Sequence, residues 1–188
     1  AALDGLLARG ALPGLEVVLW VPARGELVTT PHLRAVRLRR AGHLTSHAWE
    51  QLELPRLVGD DPLLCLGNLA PLPLLLAHRE QVHTMVHDLS YAYFPQAYSR
   101  AFRLLYSTLV PVVLARSHHV FTVSDSERAA ILRHHPRLVS ASRLTAVQNG
   151  GGEGAALARA TDDPTSLVAG HPDVPSRALR DRRCLYVG

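Results

Sequence analysis

The stretch from His83 to Gly150 constrains this chain more than any other. It opens with an apolar run ending in a His-Asp pair, HTMVHDLSYAYFP, and continues into a long apolar helix, YSRAFRLLYSTLVPVVLARSHH. A β-branched strand, VFTVS, a capped helix, SDSERAAILRHH, and a strand closed by a turn, RLTAVQNGGG, complete it. Strand and helix in alternation are the grammar of a parallel sheet with crossover connections. The expected fold class is therefore α/β, a Rossmann-like parallel sheet with helices on both faces. Ligands of such sheets sit outside the carboxyl ends of the strands. His87 and Asp88, Ser124, and Asn149 with Gly150 all fall at such ends, which makes them a candidate site.

The rest of the chain extends the same pattern. Leu3, Leu6 and Leu7 have helical spacing, and Leu15–Val21 is an apolar strand ending at Pro22. Leu33–Leu38 alternates apolar and basic residues, as a half-exposed strand does. Ser46 is placed to N-cap a helix over His47–Leu54, ended by Pro55. Leu63–Leu66 and Val82–Val86 are short strands, with a helical turn or loop over Leu72–Ala77 between them. The long helix begins at Tyr98 or Ser99, and Pro111 inside it is expected to kink or split it. Ser124 with Glu127 forms an S-x-x-E capping box. From Gly150 to Arg183 the composition turns to Gly, Ala, Asp, Pro and Arg without periodicity, which reads as linker. The expected organisation is a domain over 1–150, a linker over 151–183, and the start of a second domain over 184–188.

Composition excludes several classes. An apolar fraction of 47% rules out general disorder. No run of about 18 apolar residues exists to span a bilayer. The net charge is +4, and the sequence has Arg but no Lys; the absence of Lys points to codon bias in a GC-rich genome. Arg37–Arg40 (RLRR) and Arg180–Arg183 (RDRR) are solvated faces in the plain reading and contacts for anionic lipid or nucleic acid in the functional one. No interleaved aromatics support a nucleic-acid platform. Cys65 and Cys184 belong to no CxxC, so a reduced, cytoplasmic setting is expected. There is no G-x-S-x-G elbow for an α/β hydrolase, and the glycines after Asn149 form no phosphate loop.

The candidate residues each carry two readings. His87 next to Asp88 is either a turn in which the carboxylate caps the following loop, or an imidazole suited to orient or deprotonate a hydroxyl. Ser124 is an N-cap first and a substrate contact second. Arg128 is a surface residue or an anion contact. Asn149–Gly150 is a turn former that also sits at a strand end. Trp49 is a core residue on a short helix or a stacking platform for a sugar ring, with Gln51 beside it. His83 and His87 share a strand face about 13 Å apart, too far to chelate one ion, so no metal is expected.

From Trp49 onward the chain resembles the N-terminal half of a family 4 (group 1) glycosyltransferase of the GT-B fold. WEQLELP, GNLAPL, VHDLSYAYFPQAYSRAFRLLY, VFTVSDSERAAIL and LTAVQNGGG follow one another as that family's segments do, and CLYVG resembles the first strand of its nucleotide-sugar domain. The chain departs from the family in three respects. It lacks the first strand with its glycine loop, it lacks the donor domain with its E-x7-E segment, and Gly151 and Gly152 follow the Asn-Gly turn. The resemblance implies the acceptor-side domain of a retaining, metal-independent glycosyltransferase, inactive as this fragment alone. It places His87 beside the donor sugar as a catalytic residue, with Asp88 next to it, and the Asn149–Gly150 turn at the interdomain cleft in reach of the donor; Trp49, Ser124 and Arg128 complete the candidate substrate contacts on the residue-level readings above. It implies no cofactor. The partners are a nucleotide-sugar donor and a glycan or lipid-linked acceptor of polysaccharide assembly, with peripheral contact at the inner membrane face. A noncatalytic Rossmann-like module binding an anionic ligand or partner protein is the alternative.

Overall fold

The computed structural model describes residues 16–24 and 37–147, and the backbone of 183–187. Five consecutive side chains of β1 (Glu16–Pro22), Val17 to Val21, are buried. Burial on both faces marks an inner strand of a parallel sheet. β2 (Arg37–Ala41) is largely exposed, and its arginines blunt a sheet edge against unwanted pairing. It lies later than the expected 33–38; residues 33–36 are outside the described residues. β3 (Leu63–Cys65), β4 (Val82–Met85), β5 (His119–Thr122), β6 (Leu144–Ala146) and β7 (Arg183–Val187) complete the sheet. The order is β2-β1-β7-β3-β4-β5-β6, and every neighbouring pair is parallel.

The placement of β7 is the main departure from expectation. Glu16–Leu19 pair with Arg183–Tyr186 on one side, and Leu63–Cys65 pair with Leu185–Val187 on the other. In the Rossmann order the chain's first strand holds this central slot. An empty slot would leave the facing N–H and C=O groups of β1 and β3 unpaired. Residues 184–187, expected to open a second domain, instead fill it; Gly188 lies outside the described residues.

Six helices flank the described sheet: α1 (Ser46–Leu52), α2 (Leu54–Val58), α3 (Leu72–Ala77), α4 (Ser90–Tyr93), α5 (Arg100–Arg116) and α6 (Asp125–His134). Two expectations about breakers are corrected. Thr45, not Ser46, is the N-cap of α1, and Pro55 sits in the first turn of α2, where its missing N–H costs nothing. Pro111 does not split α5, which runs unbroken past it. Burial of Val110, Val113 and Leu114 around the proline offsets the roughly 3 kcal/mol a mid-helix proline costs. The C-terminus of α5 is closed from outside, because the Arg143 guanidinium donates to the carbonyls of Leu114, Ala115 and Ser117.

One core joins these elements, with Leu63, Leu75, Val82, Val86, Leu114 and Ile131 among its fully buried members. Its effect on the site is positional. The helices and β5 hold the exit of β4 rigidly, and the loops there carry the polar groups.

Candidate functional site

The site is built at the exit of β4. Val86 is fully buried, and its N–H donates to Phe121 O at 2.8 Å, so the chain leaves the sheet from a fixed point. His87 follows, half-buried, and two hydrogen bonds fix it. Its backbone N–H donates to Asn68 Oδ1 at 2.7 Å, and its ring Nε2 lies 2.7 Å from Leu66 O. A carbonyl only accepts, so Nε2 carries a proton, and Nδ1 is the ring nitrogen left to face a ligand. The turn after β3 thereby orients the imidazole.

Asp88 is exposed, and its Oδ1 accepts from Ser90 N at 2.8 Å, an Asx turn that starts α4. Ser90 Oγ in turn lies 2.6 Å from Tyr98 Oη, tying this loop to the start of α5. Asp88 therefore does the loop-capping work its sequence allows.

Glu127 is the residue that sequence reasoning missed. In a closed capping box its carboxylate would return to the N-cap backbone. Only half of that box forms here: Glu127 N donates to Ser124 Oγ at 3.1 Å. Glu127 Oε1 instead accepts from Leu89 N at 3.1 Å, joining α6 to the His87–Leu89 loop. Burial raises the Glu127 carboxyl above its usual range, and the Asp88 charge adds to this, while Leu89 and the Tyr93 hydroxyl pull the other way. Burial, followed by Glu127, raises the Tyr93 phenol in the same pocket of charge. The clue in the sequence was the S-x-x-E itself, since a carboxylate at that position needs only a nearer donor to be diverted.

Through its bond to Leu89 N, Glu127 is held at the loop that carries His87 and Asp88, with Ser124 at the N-terminus of the helix that carries Glu127. Ser124 is an N-cap, bonded also to Ser126 Oγ at 2.8 Å. Two expected contacts are not brought there. Arg128 donates from Nε to Leu144 O at 2.8 Å and from a terminal nitrogen to Ala141 O at 3.0 Å, so it latches α6 to the β6 segment. Trp49 is 1% exposed, with its indole N–H on Ala41 O at 2.8 Å, and it has no open ring face on which a sugar could stack. Gln51 bridges α1 to the 70–72 turn, donating to Ala70 O and accepting from Leu72 N. Asn149 and Gly150 lie outside the described residues.

Chemically, the loop offers an imidazole oriented through Nε2, one exposed carboxylate and one carboxyl held partly from water. That set can accept a proton from a hydroxyl or orient one. Among the described residues no group of three or more His, Cys, Asp or Glu is arranged to hold a metal ion. His83 and His118 are in edge contact at 5.2 Å, towards the amino ends of β4 and β5 and away from this loop. No helix among the described residues is long and apolar enough to cross a membrane. No family model, no curated protein and no solved structure matches the chain.

Proposed function

We propose that this chain is the acceptor-side domain of a retaining, metal-independent glycosyltransferase that moves a sugar from a nucleotide-sugar to a glycan or lipid-linked acceptor. One observation carries this proposal: His87 is held at the carboxyl end of β4 with Nε2 bonded to Leu66 O, which leaves Nδ1 as the ring nitrogen to face a ligand. Sugar transfer passes through an oxocarbenium-like state in which charge and protons move near the acceptor hydroxyl. An imidazole oriented in this way is suited to orient that hydroxyl, and Glu127 with Asp88 supplies negative potential at the same loop. Asp88 acts through the loop it caps. The donor's nucleotide would be held by a second domain, which the family resemblance supplies and these residues do not.

A second reading, a noncatalytic Rossmann-like module, is favoured by β7. That strand completes the central sheet and leaves no slot for another strand between β1 and β3. The test is a transfer assay on the full-length protein with a panel of nucleotide-sugars, run with and without a chelator. Transfer that survives chelation supports the proposal. Failure of every donor to react or bind would leave the module reading.

A further inference from the structure

Trp49 is too enclosed to stack on a sugar, but two other aromatic rings are open. Tyr93 is 36% exposed and Phe94 is 58% exposed, and among the described residues no other Phe, Tyr or Trp is as exposed. Both stand at the end of α4, on the segment that leaves His87. The ring of Tyr93 is set in place. Its centroid lies 5.5 Å from that of His134 at an interplanar angle of 51°, and its hydroxyl interacts with the Glu127 carboxyl. His134 and Glu127 are both on α6, so Tyr93 fastens α4 to that helix. Phe94 N donates to Ser90 O at 2.8 Å, which closes α4 and fixes where Phe94 leaves it. A ring already held in place loses little freedom when a ligand covers it.

The charges around Tyr93 select the ligand. Asp88, Glu127 and Arg133 are all close enough to act on its hydroxyl. A nucleoside diphosphate would stack its base here but bring its phosphates towards two carboxyl groups. An apolar peptide would cover the rings and take water from Glu127 and Asp88 without replacing it. A neutral sugar has neither fault. Its C–H face covers an aromatic ring, while its hydroxyls donate to a carboxyl and accept from a guanidinium. Glu127 Oε1 also holds Leu89 N, so a sugar bound to Glu127 is placed against the loop that carries His87.

We propose that Tyr93 and Phe94 form the stacking platform for a neutral sugar of the acceptor, with Glu127 accepting hydrogen bonds from the sugar's hydroxyls. That the sugar belongs to an acceptor rests on the transferase reading. Sugar binding itself does not, and it is measured without transfer.

The test is saturation-transfer NMR of the full-length protein with the methyl glycosides of glucose, galactose, mannose and N-acetylglucosamine, followed by titration of those that bind. At least one is expected to bind, with the C–H protons of one sugar face saturated most. Y93L and F94L keep apolar bulk and lose the aromatic face, and each should weaken binding roughly five-fold. E127Q keeps an acceptor for Leu89 N and loses the charge, and it too should weaken binding roughly five-fold. Tyr93 and Phe94 lie outside the buried core, and circular dichroism checks each variant. If one leucine variant fails to fold, the other and E127Q decide. Absence of binding by every glycoside overturns the inference, and so does wild-type affinity in the folded variants. Glycoside binding that depends on Tyr93, without transfer from any nucleotide-sugar, upholds the platform and removes the transferase reading. Transfer by Y93L with unchanged affinity for the glycosides keeps the transferase reading and overturns the platform.

Discussion

Replacing Asn68 by Ala tests whether the turn after β3 holds His87. The side chain has one described role, accepting the His87 backbone N–H at 2.7 Å. Truncation leaves that donor without a partner beside the fully buried Val86. An unsatisfied buried donor costs about 1–3 kcal/mol, and partial access of water at a half-buried site puts the expected loss at about 1–2 kcal/mol. Urea unfolding should show this as a lower midpoint with an unchanged slope. Amide hydrogen exchange at His87 should quicken roughly ten-fold for each 1.4 kcal/mol lost locally. Asn68→Asp retains an acceptor oxygen and should keep most of the protection. If Asn68→Ala matched the wild type in stability and in His87 exchange, the turn would not be what holds the imidazole.

Other consequences are independent of that clamp. Burial, with His118 and His119 nearby, pushes the His83 imidazole down to about 4. The unfolded chain then binds the proton that the fold refuses, so stability should fall as pH drops from about 6.5 to 4, by about 1.4 kcal/mol per unit; His83→Gln should flatten this slope in urea unfolding followed across pH. Glu127 has the opposite sign: its raised carboxyl favours the protonated form, so its contribution is lost as pH rises. Glu127→Gln keeps an acceptor for Leu89 N and should match or exceed wild-type stability at neutral pH, whereas Glu127→Ala should lose about 1–3 kcal/mol by the same assay. Gly42→Ala should cost about 2 kcal/mol or more, because φ is +88° and the new methyl would meet the Glu53 carboxylate and stand 2.7 Å from Trp49 Nε1; thermal unfolding measures it.

Much of the fold was legible because strand-helix alternation and β-branched runs mark parallel strands directly. Ser99 and Ser124 cap α5 and α6 as their positions require, each accepting from an N–H three residues on. What stayed hidden was tertiary. Pro55 looked like a stop and proved to be a start, since a proline satisfies either role locally. Glu127 looked committed to its own helix until the fold brought Leu89 N within reach. Trp49 and Arg128 had two readings each, and only packing decides: one is walled in by the core, and the other is held by two carbonyls. Asn68 stood in the GNLAPL segment, but its role was hidden because its partner is nineteen residues away. The family's first strand was expected to be lacking, but that β7 lies between β1 and β3 depends on pairing across the whole chain.

The most direct measurement is sugar-transfer turnover by the full-length protein carrying His87→Ala, with His87→Gln as a variant that keeps a donor for Leu66 O. The transferase proposal predicts a loss of at least about 100-fold in both, the usual scale for removing a general acid–base or positioning group, with the fold intact by circular dichroism. Wild-type turnover in either variant would contradict it.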